Sequence, residues 1–552
     1  MLKEQREELR FIDEQILALL ERRLDIARNI AVYKMERNIP VTNAEQEENV
    51  IDHVASLAKR EENVPIIRRF WRIILENSRA VQHKVITGDD LSSGMWLREL
   101  IRTAARRKEH PTVLYKGLEG SNGHEAAAAY FGKDAKYINA PSFEKVCSML
   151  KQGEADYAVL PFESNTSGIM PGVRELINKY GLYIAGEQNV RIDDCLAAPK
   201  GATLGTITEV EAHEHTLSRC SAFLDDHPEF RLIPGLSTSE CAKRVASENS
   251  QHKAVITSGF GAELNKLSII APYISNNPGS CTRYVVLSNR FEISGGSDKV
   301  SLIFTVRHSA GALQRVLGIF ADYHLNLSKI ESVPVGGADF EYLFFVDFSG
   351  DIAQNNTQKA IGLIQHECDF LRILGNYKSK RRNIVLCGMP GSGKNAVGKL
   401  LALQIGMEYF DTDEIIERRA GTTITNIFAE HGEKYFRDLE TEVSKEVSGY
   451  GGAVISSGGG TMMRPENARA LRRTGYVFFI NRPVEEILAS VDLSNRPLLA
   501  GDPTQIFQLF ADRLSTYRAV SDYEVSNVGE LSEVVSGLDS IIELLKGGYS
   551  SL

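Results

Sequence analysis

The sequence predicts a multidomain chain in which an all-α unit, an α/β unit, a small α+β unit and a second α/β unit follow one another. Residues 3–37 contain neither Gly nor Pro and keep a helical period of apolar residues. From residue 112 onward, short apolar strands alternate with helical segments, which is typical of α/β layers. Residues 388–394 (GMPGSGK) stand between an apolar strand and a helix, which is the setting of a phosphate-binding loop.

Length and composition limit the class of protein. A chain of 552 residues has room for about three to five domains of ~100–200 residues. It lacks the ~18–20 consecutive apolar residues of a membrane span, and its charged first helix lacks a signal peptide's apolar core. The seven cysteines form no C-x-x-C pair, and a net charge of -9 disfavours nucleic-acid binding. We expect a cytoplasmic protein with reduced thiols that binds neither membranes nor nucleic acid.

Composition also predicts where the units meet. Residues 293–299 (ISGGSDK) are a short flexible join, and residues 378–383 (KSKRRN) are a charged linker. The predicted units are a helical domain at 1–88, a linker with a basic helical piece at 89–110, an α/β domain at 111–292, an α+β domain at 299–377 and an α/β domain at 383–552.

The first helix carries cations where apolar side chains are expected. Its apolar stripe consists of Ile12, Ile16, Leu19, Ile26, Ile30 and Tyr33. Arg23 lies on this stripe and Lys34 continues it, roughly 16 Å further along the axis. Because burying an unpaired charge is costly, the pattern predicts an anion between the two. The alternative is that both cations lie on a solvated edge, with their stems along the stripe.

The length of this helix predicts an oligomer. At roughly 50 Å it would be longer than a small domain is wide. Arg6 lies about 260° around the helix from Arg23 and does not easily reach the same pocket. The pattern therefore predicts an intertwined homodimer, or a larger oligomer, in which Arg6 reaches the partner's anion site.

A later helical run carries a second mixed stripe. Its members are Ile67, Trp71, Ile74, Ser78, Val81 and Gln82. With the first helix, these residues resemble the all-helical class of chorismate mutases, although Asn43 and Gln46 stand where that family usually has an acid and an arginine. The resemblance implies active-site roles for the partner's Arg6 and for Arg23, Lys34, Glu47, Ser78 and Gln82. The implied reaction rearranges chorismate to prephenate, with arginines gripping two carboxylates and Lys34 and Gln82 stabilising the breaking ether oxygen.

Residues 112–290 alternate strands and helices around short polar motifs. Strands are predicted at 112–115, 157–160, 182–184, 207–210, 254–256 and 284–287. A Gly-rich turn at 117–121 leads into a helix beginning near His124, where backbone N–H groups can receive an anion. The motifs that resemble prephenate dehydratases, in that family's order, are residues 117–121, residues 161–168 (PFESNTSG), His213 with Cys220, residues 237–238 and Thr282-Arg283-Tyr284.

The resemblance implies two periplasmic-binding-protein-like lobes with prephenate between them. The implied reaction removes carbon dioxide and hydroxide from prephenate and leaves phenylpyruvate. Thr282 would be the weak acid that helps hydroxide to leave, and Arg283 would place the loop or a carboxylate. Glu163, Ser164 and Asn165 would shape the polar side of the cleft.

Residues 299–377 predict a small βαββαβ sandwich. Strands are predicted at 300–306, 325–331 and 342–347, and helices at 312–323 and 358–367. Gly311-Ala312-Leu313 and Glu331-Ser332 resemble the amino-acid-binding ACT domain that follows many prephenate dehydratases. The resemblance implies phenylalanine binding at a dimer interface, as end-product inhibition. The alternative is a domain that serves dimerisation only.

The Gly-rich loop near residue 390 predicts nucleotide binding. Its phosphate-binding positions are Gly388, Gly391, Ser392 and Gly393. Lys394 would reach the β- and γ-phosphate oxygens of ATP. Asn395 occupies the position of the expected magnesium-binding Ser or Thr, and its carbonyl oxygen can bind Mg²⁺ or a coordinated water more weakly. ATP and Mg²⁺ are the expected cofactors.

Motifs after this loop indicate the substrate. They are Asp411-Thr412-Asp413, Arg437 with Glu440, Gly458-Gly459-Gly460, Asn495-Arg496, and Arg513 before Tyr517, and together they resemble shikimate kinase. The resemblance implies that Asp411 holds the magnesium shell and that Asp413 orients the accepting hydroxyl of shikimate. The lid residue Arg496 would neutralise charge on the transferring phosphoryl group together with Lys394.

The same resemblance implies a carboxylate clamp. Arg437, steadied by Glu440, and Arg513 would hold the carboxylate of shikimate. Gly459 and Gly460 would let the ring approach the backbone.

Together the resemblances predict a fusion enzyme that acts on chorismate, prephenate and shikimate under phenylalanine control. The chain departs from the families at Ser164-Asn165, Ala212, Arg219, Val333 and Asn395. These departures leave open a phenylalanine-sensing regulatory or scaffold protein with one or more inactive modules. A second alternative is a P-loop kinase for another small polyol acid.

Overall fold

The structure of this protein is a computed structural model. It describes residues 2–37, 39–41, 43–87, 92–166, 168–277, 279–307, 309, 311–334, 342–490 and 505–546. None of the helices in these ranges is long and apolar enough to cross a membrane. All seven cysteines lie in these ranges and are free thiols. Short 3₁₀ turns occur at Glu61–Asn63, Leu204–Thr206 and Thr461–Met463.

The N-terminal unit is helical, as predicted. Its helices are α1 (Leu2–Glu36), α2 (Ala44–Ser56) and α3 (Val64–Thr87). Both α1 and α2 pack on α3. Asn43 caps α2, because its side-chain oxygen accepts a hydrogen bond from the Gln46 backbone N–H at 3.0 Å.

The buried face of α1 differs from the predicted one. Ala27 and Ala31 are its buried residues, whereas Leu19 is 66% exposed, Ile26 53% and Tyr33 54%. Small alanine side chains let α3 approach α1 closely on that face, and within one chain the larger apolar side chains are left on the outside. The predicted stripe is therefore exposed in the single chain, and its burial in an intertwined dimer stays a prediction. Arg23 and Lys34 lie beside Ala27 and Ala31 and are half-buried.

The second unit consists of two sheets, each with helices. The first lobe contains β1 (Thr112–Lys116), α5 (Asn122–Phe131), β2 (Lys136–Ala140), α6 (Phe143–Gln152), β3 (Tyr157–Ser164), β4 (Gly168–Ile169), α7 (Val173–Lys179), β5 (Tyr183–Arg191) and, later in the chain, β11 (Cys281–Ser288); the helix α4 (Ser92–Arg102) precedes it. Its strand order in the described residues is β2-β1-β3-β11-β5, with β4 paired to β3.

The second lobe lies between β5 and β11 in the sequence. It contains β6 (Asp194–Ala198), β7 (Glu209–His213), α8 (Glu214–Arg219), α9 (Ser221–Asp225), β8 (Arg231–Gly235), α10 (Thr238–Glu248), β9 (Lys253–Ser258), α11 (Gly259–Leu264) and β10 (Ser268–Ala271). Its strand order is β10-β6-β9-β7-β8. The chain therefore crosses between the lobes twice, at residues 192–193 and 272–280.

The third unit has the predicted βαββαβ order. Its elements are β12 (Lys299–Thr305), α12 (Ala312–Asp322), β13 (Leu327–Pro334), β14 (Tyr342–Ser349), α13 (Asn355–Glu367) and β15 (Phe370–Tyr377), with antiparallel strand order β13-β14-β12-β15. The helix α4 packs on α13, and Leu97 joins the core of this unit. The predicted linker thus contains a helix that belongs to this core, because α4 is amphipathic and buries its apolar side there.

The C-terminal unit is a parallel α/β layer fold. Its elements are β16 (Asn383–Cys387), α14 (Lys394–Ile405), β17 (Glu408–Asp411), α15 (Thr412–Ala420), α16 (Ile424–Ser448), β18 (Ala453–Ser456), α17 (Pro465–Thr474), β19 (Gly475–Asn481), α18 (Val484–Ser490), α19 (Gln505–Val520), β20 (Tyr523–Ser526) and α20 (Leu531–Lys546). The strand order in the described residues is β17-β18-β16-β19-β20, all parallel. The central β16 leads directly into the Gly-rich loop, so this loop lies at the carboxyl edge of the sheet.

Candidate active sites

In the helical unit, α1 and α3 bring two predicted site residues together. Arg23 donates from Nη1 to Ser78 Oγ, and Ser78 in turn donates to the Ile74 carbonyl at 2.7 Å. Burial lowers the pKa of the Arg23 guanidinium. Because Ser78 lies on α3 and is buried, its hydrogen bond holds the Arg23 guanidinium against that helix.

Other predicted residues of this unit have different surroundings. Lys34 donates from Nζ to the Val41 carbonyl at 2.8 Å, and Glu47 forms an ion pair with Arg79 at 2.7 Å. Gln82 is buried, and its Oε1 has no hydrogen-bond partner among the described residues. Arg6 is exposed on the first turns of α1. The single chain therefore gathers part of the predicted site and leaves Arg6 outside it.

In the first lobe, strand register brings two separate motifs side by side. Thr282 on β11 is paired with Ser164 on β3, and Arg283 is paired with Glu163. Thr282 is buried. Because side chains alternate along a strand, Thr282 and Arg283 point to opposite faces of the sheet.

Asn165 holds the chain that leads into Thr282. Its Nδ2 donates to the Gly279 carbonyl at 3.0 Å, and its Oδ1 accepts from the Cys281 N–H at 2.7 Å. Its own N–H donates to the Cys281 carbonyl at 3.0 Å. Ser164 Oγ lies 3.0 Å from Thr166 Oγ1. The Ser164-Asn165 order thus lets the Asn165 amide bond to residues 279 and 281 and places Ser164 opposite Thr282 in the sheet.

Arg283 faces the third unit. It forms ion pairs with Glu163 at 2.6 Å, with Glu187 at 2.9 Å and with Asp347 of β14 at 3.1 Å. Burial alone would raise the pKa of Glu187, but Lys299 and Arg283 hold it at about 2. The structure therefore places Arg283 on carboxylates of the protein itself.

Three further predicted residues of this unit cap helices. Ser121 caps α5, His213 caps α8 and Ser237 caps α10, each accepting a backbone hydrogen bond. The glycine turn of the first lobe lies against the second, because a Cβ on Gly120 would be 3.9 Å from Ser239 Oγ. Arg219, one of the departures, forms two 3.0 Å hydrogen bonds to Asp194.

In the third unit, one predicted effector residue contacts the first lobe. Glu331 forms an ion pair with Arg174 of α7 at 2.7 Å, and Arg174 lies 4.0 Å from Glu163. Lys329 contacts both Glu331, at 3.0 Å, and Glu163. The other predicted effector positions are Ser332, which is exposed on β13, and Gly311, Ala312 and Leu313, which begin α12.

The Gly-rich loop of the C-terminal unit has the predicted strand, loop and helix context. Gly388, Gly391 and Gly393 have positive φ angles, which only glycine adopts readily. Lys394 begins α14, and its Nζ donates to the carbonyls of Gly388 at 3.0 Å and Met389 at 2.8 Å. Ser392 is buried in the loop.

Beside the loop, Asn395 bridges two strand ends. Its Nδ2 donates to Asp411 Oδ2, and its Oδ1 accepts from Ser456 Oγ at 2.7 Å. Burial raises the pKa of Asp411. A rotation of the amide by 180° would present Oδ1 to the Asp411 side and Nδ2 to the Ser456 hydroxyl.

Three predicted residues converge on the glycines that follow β18. Arg513 donates to the Gly459 carbonyl at 3.0 Å, and a Cβ on Gly460 would be 2.3 Å from Arg437 Nη1. A Cβ on Gly458 would be 2.6 Å from Asp413 Oδ1. A Cβ on Gly459 would be 2.8 Å from Pro390 of the phosphate loop, so a side chain at any of the three positions would meet a close neighbour. Arg496, the predicted lid cation, lies outside the described residues.

Arg437 is held in position by a network of neighbouring polar residues. Arg437 forms an ion pair with Glu440 at 2.9 Å, and Thr461 Oγ1 donates to the same carboxylate at 2.7 Å. Burial alone would lower the pKa of Arg437, but Glu440 raises it. Tyr517 also donates to the Gly459 carbonyl. Arg437, Arg513 and Asp413 thus lie against the same three glycines beside the phosphate loop.

Several residues at these sites carry no sequence motif. Arg174, Glu187, Lys329 and Asp347 surround Arg283 and Glu163 but come from four different elements. A charge within the otherwise apolar strand β14 is a weak signal for Asp347, whereas Arg174 lies on the polar helix α7 and carries no such signal. Ser456, which bonds Asn395, ends an apolar strand and was likewise missed.

The parallel sheet, the Gly-rich loop and the paired arginines define the C-terminal unit as a P-loop phosphotransferase for a small acid. Residues 390–543 match the shikimate kinase family, residues 113–292 match prephenate dehydratase and residues 5–83 match chorismate mutase type II. A shikimate kinase from Clostridium beijerinckii is 38% identical over 162 residues, which are 29% of this chain and 95% of that protein. The chain therefore belongs to the shikimate kinase family in its C-terminal unit, and it carries a prephenate dehydratase unit and a chorismate mutase unit before it.

Two further comparisons concern the units that precede the kinase. The bifunctional chorismate mutase/prephenate dehydratase of Escherichia coli (strain K12) is 27% identical over 381 residues, 68% of this chain and 95% of that protein. A crystal structure of prephenate dehydratase in complex with L-Phe from Arthrobacter aurescens is 27% identical with a TM-score of 0.42, covering 48% of this chain and 90% of that one.

Proposed function

We propose that this chain is a three-activity enzyme of aromatic amino-acid biosynthesis. It rearranges chorismate to prephenate, converts prephenate to phenylpyruvate, and phosphorylates shikimate with ATP. The observation that carries the proposal is the convergence of Arg437, Arg513 and Asp413 on one glycine-lined hollow beside the phosphate loop. Matches to three families of enzymes in the same pathway support the other two activities.

In the mutase unit, the chemistry is a pericyclic rearrangement that needs no nucleophile. Arg23, held by Ser78, binds one carboxylate of chorismate and favours the compact reactive conformer. Lys34 and Gln82 donate hydrogen bonds to the ether oxygen as negative charge grows there. Glu47 with Arg79 and Ser78 shape the polar wall of the pocket.

The mutase site is completed by a second copy of the chain. Ile12, Ile16, Leu19, Ile26 and Ile30 are exposed on α1, which is a long apolar surface for a helix of a monomer. A second α1 packed on this stripe buries it and brings the exposed Arg6 to the other carboxylate. The functional unit is therefore a homodimer or a larger oligomer.

In the dehydratase unit, Thr282 is the proton donor. The C–C bond to the departing carboxylate breaks and releases carbon dioxide, its electron pair enters the ring system, and the ring C–O bond breaks as the leaving hydroxide takes the Thr282 proton and departs as water. The Thr282 oxygen then regains a proton from solvent. Asn165 fixes the chain at residues 279–281 and so holds Thr282 in place. Ser164, beside Thr282 in the sheet, lines the polar side of the cleft.

Phenylalanine binding to the third unit, an ACT domain, controls the dehydratase. The support is a continuous set of ion pairs from Glu331 through Arg174 and Lys329 to Glu163. Glu163 then binds Arg283, the neighbour of Thr282. A ligand that moves the strand bearing Glu331 changes these pairs and, through them, the position of β11.

In the kinase unit, Arg437 and Arg513 bind the carboxylate of shikimate, and Asp413 orients the accepting hydroxyl. The loop from Gly388 to Lys394 holds the phosphates of ATP. Asp411 and the amide oxygen of Asn395 are hard oxygen donors of the kind that Mg²⁺ prefers, so they fit this ion together with phosphate oxygens and water. When bound, Mg²⁺ neutralises charge on the phosphates.

A second candidate is a regulatory protein with an inactive kinase unit. It is favoured by Asn395, whose side chain is already bonded to Asp411 and Ser456. A third is a kinase for another small polyol acid, since the clamp recognises a carboxylate and not the whole ring.

One experiment separates these candidates. The purified protein is incubated in three reactions, with shikimate plus MgATP, with chorismate, and with prephenate. We expect turnover in all three, and inhibition of the third by phenylalanine. Turnover of chorismate and prephenate without phosphorylation of shikimate would favour the second candidate, whereas phosphorylation of quinate in preference to shikimate would favour the third.

A further inference from the structure

The kinase unit packs on both segments that join the two lobes of the dehydratase unit. These crossover segments are residues 192–193 and 272–280, and in folds of this kind they are where the angle between lobes can change. The contacting part of the kinase is α17 together with Asp522, which precedes β20. The contacts are charged, buried and specific.

Ion pairs hold the first crossover segment. Arg191, at the end of β5, donates to both carboxylate oxygens of Asp522, and its Nε donates to Asp193 at 2.8 Å. Arg472 of α17 donates to Asp193 at 3.0 Å and to the Val520 carbonyl. Burial alone would raise the pKa of Asp193, but Arg191 and Arg472 hold it below its ordinary value. A crossover carboxylate is therefore fixed between an arginine of its own unit and an arginine of the kinase.

Arg472 also contacts the second crossover segment. The Arg472 guanidinium lies over the ring of Tyr273, 4.0 Å from its centroid. The Arg472 side chain is 1% exposed, so it is enclosed by these partners. One side chain of α17 thus touches both segments on which movement between the lobes depends.

Neighbouring residues of α17 face each lobe separately. A Cβ on Gly259, in the second lobe, would lie 3.7 Å from Arg469 Cδ. Burial raises the pKa of the Glu125 carboxyl, in α5 of the first lobe, to about 7, and the nearby positive charge of Arg473 opposes this shift. The helix α17 therefore lies across the junction of the lobes.

We propose that the kinase unit braces the dehydratase, because α17 and Asp522 fix the angle between its lobes through the two crossover segments. The brace keeps the dehydratase cleft near its working geometry. A kinase of an earlier pathway step then has a mechanical role in a different reaction. The part of this proposal that concerns turnover rests on the dehydratase activity proposed above.

The test uses the full chain and the isosteric change Asp193→Asn, which weakens the link between Arg191 and Arg472. Spin labels at Lys133→Cys in the first lobe and Lys200→Cys in the second, in a Cys368→Ser background, report the distance between lobes. We expect a broader distance distribution and a fall in dehydratase kcat/KM of at least about fivefold. Shikimate kinase turnover, measured on the same sample, should stay within about twofold and thus report that the kinase is folded.

Asp156→Asn is the matched control. Asp156 is 23% exposed and Asp193 is 24% exposed, and each binds a cation, but Asp156 lies in the first lobe away from the kinase. Asp156→Asn should leave the distance distribution unchanged. Tyr273→Leu removes only the ring contact to Arg472. If Asp193→Asn also loses kinase activity, the distance distribution of Tyr273→Leu is the test of the brace.

An unchanged distance distribution in both Asp193→Asn and Tyr273→Leu would overturn the brace. This readout does not require the chain to turn over prephenate. A broadened distribution without any dehydratase activity in the parent chain would support the brace and contradict the proposed function instead.

Discussion

The kinase site and the mutase site differ in how much of each lies within one unit of one chain. In the kinase, Arg437, Arg513 and Asp413 converge on consecutive glycines beside the phosphate loop. In the mutase, Arg23 and Ser78 meet, but Arg6 is exposed and Gln82 Oε1 is buried without a partner among the described residues. The kinase is expected to work as one folded unit, whereas the proposed mutase site requires a second chain.

The dehydratase is intermediate between these two cases. Its Thr282 and Ser164 come from neighbouring strands of one sheet, yet Arg283 is held by Asp347 from the third unit. Both crossover segments of the same unit contact Arg472 of the kinase. A site that draws on its neighbours can be controlled by them, and this is the physical basis of the phenylalanine response proposed above.

The largest expected effect concerns the mutase cation. Lys34→Ala should lower mutase turnover by about 10³-fold, because a donor aimed at the developing charge of the ether oxygen is lost. Stopped-time assays of chorismate loss measure the effect. Arg37→Ala, an exposed cation one turn further along, is the control and should keep turnover within about twofold. Near-normal turnover in Lys34→Ala would remove Lys34 from the site.

The next largest effect concerns the kinase clamp. Arg437→Ala should raise the Kd for shikimate by about 30–100-fold, because a charge-assisted pair to the carboxylate is lost. The Kd for ATP should change little. Isothermal titration of each ligand checks both values, with Arg419→Ala on the exposed surface as control. Equal weakening of ATP and shikimate would contradict the clamp and indicate misfolding of the hollow.

A smaller effect is expected where the third unit meets the dehydratase unit. Arg174→Met breaks the ion pair between α7 and Glu331 and should raise the phenylalanine concentration for half-inhibition by about tenfold. Lys179→Met removes an exposed ion pair from the same helix and is the control. Dose-response curves of prephenate turnover measure the change. Identical curves for the two variants would show that control does not pass through Arg174.

The prediction with the smallest expected effect on activity is a pH-dependent change in stability. Burial raises the pKa of Glu125 to about 7, so the folded carboxyl keeps a proton that the unfolded chain releases at lower pH. Folding is therefore weakened as pH rises towards 7, by at most about 3 kcal/mol. Glu125→Gln mimics the protonated form, and its Tm should exceed that of the parent more at about pH 8 than at about pH 5. The exposed Glu154→Gln is the control, and a pH-independent difference would refute the shift.

Local motifs were sufficient to predict the order of folds and the strand, loop and helix around Lys394, whereas the substrate-binding roles at the kinase site stay predictions. Lys394 and the glycines around it are specified within a few residues by strand, loop and helix, and Arg437 with Glu440 by one helical turn. Partners from distant elements could not be predicted. Asp347 and Arg174 carry no pattern, and they reach Arg283 and Glu163 only because the third unit packs on the first lobe.

The partner of the apolar stripe on α1 could not be predicted for a related reason. Periodicity identifies apolar stripes, but it does not state whether the partner of a stripe is in the same chain or in another. Ala27 and Ala31 contact α3, while Ile12 and Ile26 are left exposed. A sequence pattern thus gave the helix correctly and left its partner open.

Mixing two inactive mutase variants tests the difference between shared and self-contained sites most directly. Arg6→Ala and Lys34→Ala proteins are purified, unfolded together and refolded as a mixture. If Arg6 serves the partner's site, half of the dimers are mixed and each has one intact site, so about a quarter of parental mutase activity should return. The kinase variants Lys394→Ala and Arg437→Ala, treated in the same way, should regain none. A mixture of the mutase variants that stays inactive would contradict the shared site, and recovery in the kinase mixture would contradict the self-contained one.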